Sequence, residues 1–293
     1  MKVLANHSEV RRERGFDVYR LSNEKVEVAV VPELGAKIIS VKDRRANREW
    51  MWHPPHGPVL FRNNPGDDFF RSPLVGMDEC LPTIEPCMWR GRKLPDHGEV
   101  WGVAWDVDAE AWQKGALKTS VRLGISPFDF ERTLELDDNE ICLSYHLSNR
   151  NRTSEYFLWA MHPMLKLQQG DKLVLPSSTR KLFGERTWVD AIDSAMPNGG
   201  CAKLVACPLS ESRAGVHNEL TGARIDFEWK ASENNGLGLW LTRGGWHGYD
   251  HFAIEPTNAG ADALVEAVSR KRCGAVEGNS FVSWQIHLRV GSH

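Results

Sequence analysis

An all-β fold, specifically a large antiparallel β-sandwich, is predicted from three observations on this 293-residue chain. Short apolar or alternating runs recur from end to end, punctuated by Pro, Gly, Asn and Asp. Two of them, residues 130–136 and 141–147, read as a hairpin around Asp137, Asp138 and Asn139. Only residues 262–272 carry a modest helical pattern, and they read equally well as a loop. Strands separated by turns, with almost no helical periodicity, need a second sheet to cover their apolar faces, which is a sandwich.

The elements follow in chain order. Residues 26–31 are rich in valine and read as a strand that Pro32 ends. Gly35 turns the chain into a second apolar run, 36–41; residues 43–48 form a polar connection, and 49–52 return to apolar character. Pro, Gly and Asn crowd residues 53–68, where a helix would lose too many hydrogen bonds, so a long loop is expected. Residues 94–106 place Pro, Asp, His and Gly ahead of alternating Trp101, Val103 and Trp105, a functional loop running into a strand. Residues 117–125 precede the hairpin as another strand. In the hairpin's return strand Ile141, Leu143, Tyr145 and Leu147 share one face and Cys142, Ser144 and His146 the other. Apolar runs continue at 157–167, interrupted by Pro163, and at 173–175. Residues 180–203 lack periodicity and read as a loop excursion with short strands. Residues 223–229 alternate, 237–242 are apolar, and 251–254 lead to Glu255. The last strand, 281–290, puts Val282, Trp284, Ile286, Leu288 and Val290 on one face. No repeat, low-complexity tract or linker divides the chain, so residues 1–293 are expected to form a single domain.

Composition narrows the function classes. A formal net charge of -3 gives no global attraction to nucleic acid or to an anionic membrane. No apolar run approaches the roughly 20 residues of a membrane span. Residues 1–20 are charged throughout, with no signal-peptide h-region, so a cytoplasmic location is expected. The six cysteines form no Cys-x-x-Cys pair, which points to reduced thiols and away from a structural zinc site. Twelve tryptophans are a large number for this length; some must be core, but an indole face is also a good platform for a sugar ring.

Three segments end an apolar or turn-rich run on titratable residues: Asp96-His97-Gly98, His162-Pro163 and Glu255-Pro256. Singly, His97 suits an ordinary turn and His162 a hydrogen-bonded core position. Glu255 sits at the end of a buried strand, where a carboxylate is costly unless paired or used. Burial there raises its pKa toward the range of a general base.

The ordered set resembles the aldose 1-epimerase superfamily, the galactose mutarotase-like proteins. The resemblance is carried by residues 30–38, by Gly76-Met77-Asp78-Glu79-Cys80-Leu81-Pro82, by Asp96-His97-Gly98, by Ala160-Met161-His162-Pro163, and by Leu239–Thr242 with Phe252-Ala253-Ile254-Glu255-Pro256. It implies a galactose mutarotase-like sandwich that interconverts the α and β anomers of an aldose. A base takes the anomeric hydroxyl proton, an acid protonates the ring oxygen, and the ring recloses on the other face. Glu255 is the implied base, His162 the acid, and His97 a donor that helps hold the ring oxygen. Arg71, Asp78, Glu79, Trp101 and Trp105 are the implied substrate-binding residues, with Trp101 or Trp105 stacking on the sugar. No metal or organic cofactor is expected, and the partner is a small-molecule sugar. The chain departs from the family in carrying Glu99-Val100-Trp101 after His-Gly, where many members have Phe-x-Arg. The family's sugar-gripping Asp has no assigned counterpart here, with Asp190 and Asp193 both open.

Three other readings share these residues. A sugar-binding protein that has lost turnover would keep the same cleft. A metal-dependent isomerase would use His247, His251 and Glu255, which fall on one face if all lie in a strand. A glycosidase would need two carboxylates, such as Glu79 and Glu255. Finally, Arg90, Arg92 and Lys93, with Arg71, suggest a basic rim and hence an anionic sugar such as a hexose phosphate.

Overall fold

The computed structural model describes residues 6–57, 59–73, 75–179 and 199–292. Two antiparallel sheets dominate it. In the first, His7–Glu13, Phe16–Ser22, Val26–Val31, Lys37–Asp43, Met77–Cys80, Ala160–Lys166, Asp250–Thr257, Gly236–Arg243 and Gly200–Ala206 lie side by side in that order, with Arg48–Glu49 beside Lys37–Asp43. The second runs Asp171–Val174, Arg213–Asn218, Ala223–Trp229, Phe281–Ser292, Glu140–Asn149, Phe128–Asp137, Leu117–Arg122 and Asp106–Val107. Two short antiparallel pairs, Cys87–Trp89 with Arg92–Leu94 and Glu155–Phe157 with Gly274–Val276, stand apart.

Alternation decides what each sheet buries. In the hairpin, Phe128, Phe130, Leu134 and Leu136 face Ile141, Leu143, Tyr145 and Leu147, and all join the inter-sheet core. On the first sheet Met161, Leu165, Phe252, Ile254, Leu237, Leu239 and Leu241 point into the same core. A buried ion pair crosses between the sheets. Glu79 accepts from Arg132 Nη1, Tyr145 Oη and Trp159 Nε1, each at 2.9 Å, and both Glu79 and Arg132 are at most 1% exposed. These three donors satisfy a carboxylate that burial would otherwise make untenable.

The structure departs from the sequence expectations at several places. The charged N-terminal stretch forms two strands, His7–Glu13 and Phe16–Ser22. The first is an edge strand exposed on both faces, so it carries no apolar alternation to reveal it. The Trp-rich stretch after His97 is a series of turns, and the strand begins only at Asp106. Residues 264–269 form the short helix Leu264–Ser269 within the ambiguous stretch. Of the expected excursion at 180–203, residues 180–198 lie outside the described residues, while Gly200–Ala206 is an edge strand of the first sheet.

Candidate functional site

The outer face of the first sheet carries the site. Across Met77–Cys80 and Ala160–Lys166, Asp78 is registered against His162. The pairs Ala160 with Thr257 and Met164 with Ala253 bracket His162 and Glu255 on the next two strands. Glu255 is in turn registered against Gly238. Registered neighbours in an antiparallel sheet project to the same side, so His162 and Glu255 meet there. Met161 and Ile254, one position away, go to the core.

His162 Nε2 lies 3.7 Å from Glu255 Oε1. Glu255 is 1% exposed, and its Oε2 accepts a 2.5 Å hydrogen bond from Lys203 Nζ. Lys203 also lies 3.8 Å from Asp262 Oδ1. Burial raises the Glu255 carboxyl above its usual range, with Lys203 opposing the rise. Burial disfavours the Lys203 ammonium, yet Glu255 and Asp262 together raise its pKa. Burial drives His162 well below the ordinary histidine value, reinforced by the neighbouring His97, Lys203 and His251, so the ring is neutral at pH 7. Glu255 Oε1 and His162 Nδ1 are buried atoms without a hydrogen-bond partner among the described residues. Such atoms cost about 1–3 kcal/mol each, and a site that binds a hydroxylated ligand is one explanation for keeping them.

His97 reaches the same place from a tight turn. His97 and Gly98 both have positive φ, at 55° and 78°. A Cβ on Gly98 would fall 2.0 Å from the carbonyl oxygen of Leu81, so only glycine lets the turn dock there. His97 N donates to Ile84 O, and Glu99 N to Leu81 O, which ties the turn down on both sides. The His97 ring stacks on Phe69, with centroids 3.9 Å apart, and stands 5.3 Å from the His162 ring. Asp96 Oδ1 is 2.8 Å from His97 Nδ1, and Asp96 Oδ2 accepts from Phe69 N at 2.9 Å. Burial pushes the Asp96 carboxyl up, but the His97 and Phe69 hydrogen bonds outweigh it and hold it below the usual range.

His97, His162 and Lys203 line a cleft of about 260 Å³, walled by Phe69, Trp240, Trp246 and His251, with Ile84, Glu85, Met164 and Asp262 at its sides; Glu255 does not line it but lies 3.7 Å from His162 and 2.5 Å from Lys203, which do. Trp240 Nε1 lies 3.3 Å from His251 Nε2. A larger hollow of about 410 Å³ borders Trp101 and Val103. Its Glu99 carboxylate is already bonded to Ile125 N and Ser126 N, so no convergent set of free titratable groups marks it as the site.

His97, His162 and Glu255 are therefore brought together. None of the five implied binding residues lines the cleft, although Asp78 lies beside His162 on the same face of the sheet. Asp78 is fully buried and ion-paired to Lys37 within the sheet. Glu79 points the other way, into the Arg132 network between the sheets. Trp101 is 3% exposed and donates to Asp96 O, while Trp105 is 4% exposed and packs edge-on against Phe130. Both tryptophans are core, because the turns that carry them fold inward. Arg71 is exposed at the end of the short helix Phe69–Arg71 and does not line the cleft, although its neighbour Phe69 does. Asp190 and Asp193 lie outside the described residues.

The basic rim is corrected too. Arg92 Nη2 and Arg90 Nη1 pair with the buried Glu155 at 2.7 and 3.5 Å, and Trp89 Nε1 donates to the same carboxylate. Neither Arg90, Arg92 nor Lys93 lines the cleft. His247 sits in an exposed turn at φ 53°, outside the strand Asp250–Thr257. His251 and Glu255 share a face but stand four residues apart on that strand, about 13 Å by strand rise, too far for one ion. Among the described residues no group of three or more His, Cys, Asp or Glu side chains is placed to hold a metal, and no helix is long and apolar enough to cross a membrane.

Lys203, Asp262, Trp240, Trp246 and Phe69 were not singled out from sequence. Trp240 stands inside a predicted strand, Phe69 borders the expected loop, and Trp246 precedes His247. Lys203 and Asp262 bore no local mark at all.

No family model matches the chain, and no curated protein matches it in sequence. Solved structures do match in fold. The Slr1438 protein of Synechocystis sp. PCC 6803 is 16% identical, covering 94% of this chain and 96% of that one at a TM-score of 0.72. A galactose mutarotase-like protein from Clostridium acetobutylicum is 12% identical, covering 100% of both chains at a TM-score of 0.70. Another, from Lactobacillus casei, is 15% identical, covering 94% of this chain and 100% of that one at 0.64. The fold is the galactose mutarotase-like antiparallel β-sandwich.

Proposed function

We propose that the chain is an aldose 1-epimerase-type isomerase that interconverts the α and β anomers of a sugar by acid–base ring opening and closure. The observation that carries this reading is the facing pair of Glu255 and a neutral His162, 3.7 Å apart beneath a small aromatic-walled cleft. The anomeric hydroxyl and the ring oxygen are both bonded to C1, so a base and an acid must act within a few ångströms of each other. Glu255 Oε1, which makes no hydrogen bond, takes the hydroxyl proton. As the bond from C1 to the ring oxygen breaks, that oxygen gains alkoxide character, and a neutral imidazole N–H can then serve as the donor. After rotation about C1–C2 the same two transfers run in reverse and leave both residues as they began. His97, held by Asp96 and Phe69, supplies a further hydrogen bond to the ring oxygen. Each positioned proton-transfer group is worth roughly 10²–10⁴ in rate. A cleft of about 260 Å³ suits a single monosaccharide ring, and Trp240 and Trp246 offer it an aromatic wall.

The test is anomer exchange by NMR or polarimetry across a broad panel of aldoses and their derivatives. Acceleration of at least one sugar is expected, together with its loss in Glu255→Gln, whose amide keeps the shape but takes no proton. Binding without acceleration of any sugar would overturn the reading in favour of a sugar-binding protein.

A further inference from the structure

Lys203 is an unexpected residue for its place. It lies on the edge strand Gly200–Ala206, registered against Trp240, two strands from Glu255. Its ammonium reaches Glu255 because Gly238 stands between them without a side chain. A Cβ on Gly238 would fall 2.6 Å from Glu255 Oε2, so that oxygen lies directly over the glycine. Lys203 Nζ lies 2.5 Å from that same Oε2. Of the two carboxylate oxygens, one is thus claimed by Lys203 while the other, Oε1, faces His162 without a hydrogen bond. A buried ion pair kept only for stability gains little over apolar packing, whereas one that orients a working carboxylate has a use.

We propose that Lys203 is a positioning residue of the site, fixing Glu255 as an ionised carboxylate with Oε1 turned toward His162 and the sugar. This rests on the epimerase reading above. The groups facing Glu255 from the surrounding segments are His162, Lys203, Asp262, His97 and Cys80. Burial raises the Glu255 carboxyl, Lys203 lowers it, Asp262 raises it and His97 lowers it. Removal of Lys203 therefore moves the carboxyl up, and removal of the Asp262 charge moves it down. The Asp262 backbone contacts with Ile84, Glu85 and Thr83 use its carbonyl and survive a change to Asn.

The experiment records kcat/KM against pH for the full chain and for Lys203→Met, Lys203→Arg and Asp262→Asn. In parallel, infrared difference spectroscopy follows the Glu255 carboxyl directly, assigned by its loss in Glu255→Gln. Lys203→Met should displace the acidic limb to higher pH and lower kcat/KM on that limb by about tenfold or more. Lys203→Arg should return the limb toward its wild-type place, and Asp262→Asn should displace it the opposite way. A Lys203→Met profile that keeps its limb and only drops uniformly would overturn the proposal, as would an infrared titration that does not move. If the wild type turns over no sugar, the epimerase reading fails, and the infrared titration alone decides the role of Lys203. If Lys203→Met does not fold, Lys203→Gln takes its place, with a limb displaced to higher pH expected and an unmoved limb overturning the proposal.

Discussion

Gly238→Ala isolates the geometry of the carboxylate without replacing any proposed functional group. Gly238 has no positive φ, so alanine suits its backbone. The new methyl would meet Glu255 Oε2 at 2.6 Å, its Cβ at 3.1 Å and its Cδ at 3.3 Å. Ordinary carbon contacts lie near 3.5–4 Å, so the carboxylate must retreat by most of an ångström. That retreat either stretches the 2.5 Å bond to Lys203 or drives Oε1 into the 3.7 Å gap before His162. A misplacement of about 1 Å costs roughly 10²-fold in rate, or about 2.7 kcal/mol of transition-state stabilisation. Overpacking costs about 1–3 kcal/mol of stability, partly offset by about 0.4–1 kcal/mol from the stiffer unfolded chain. The assay is kcat/KM for anomer exchange by NMR, run beside thermal unfolding. A fall of about a hundredfold with a Tm lowered by only several degrees is expected. A variant that keeps kcat/KM within about threefold of wild type would refute the placement of Glu255 as the base.

Three further outcomes are expected. His251 is 1% exposed, and burial lowers its pKa to about 4. The unfolded chain therefore binds the extra proton first, and stability falls as pH drops from about 6.5 to about 4, by about 3 kcal/mol from this residue; His251→Gln should flatten that part of the urea-unfolding profile relative to wild type. Arg132→Met strands Glu79 between the sheets and should cost about 3–5 kcal/mol by denaturant titration, whereas an exposed pair such as Lys114 with Glu110 should contribute under about 1 kcal/mol. Since Arg90 and Arg92 serve Glu155, changing both to Ala should weaken thermal stability and affect a neutral hexose and its 6-phosphate alike; selective loss of the phosphate sugar would restore the basic-rim idea.

Much of the fold was legible because its signals are local. Alternation in 130–136 and 141–147 is a property of each strand alone, and so is the stop that Pro32 imposes after Val31. The titratable ends at His97, His162 and Glu255 were legible for a similar reason: each interrupts an apolar or turn-rich run on its own. What the sequence could not decide was which strands become neighbours and in what register. That choice sets Glu255 over Gly238 and within reach of Lys203, joins Glu79 to Arg132, and gives Arg90 and Arg92 to Glu155 rather than to a sugar. The tryptophans show the same division. An indole suits a core and a sugar platform equally well, so only the folding path of the chain buries Trp101 and Trp105 while leaving Trp240 and Trp246 to wall the cleft. Local periodicity specifies strands and turns, but partnership across a sheet is a long-range property, fixed when the two sheets close over their common core.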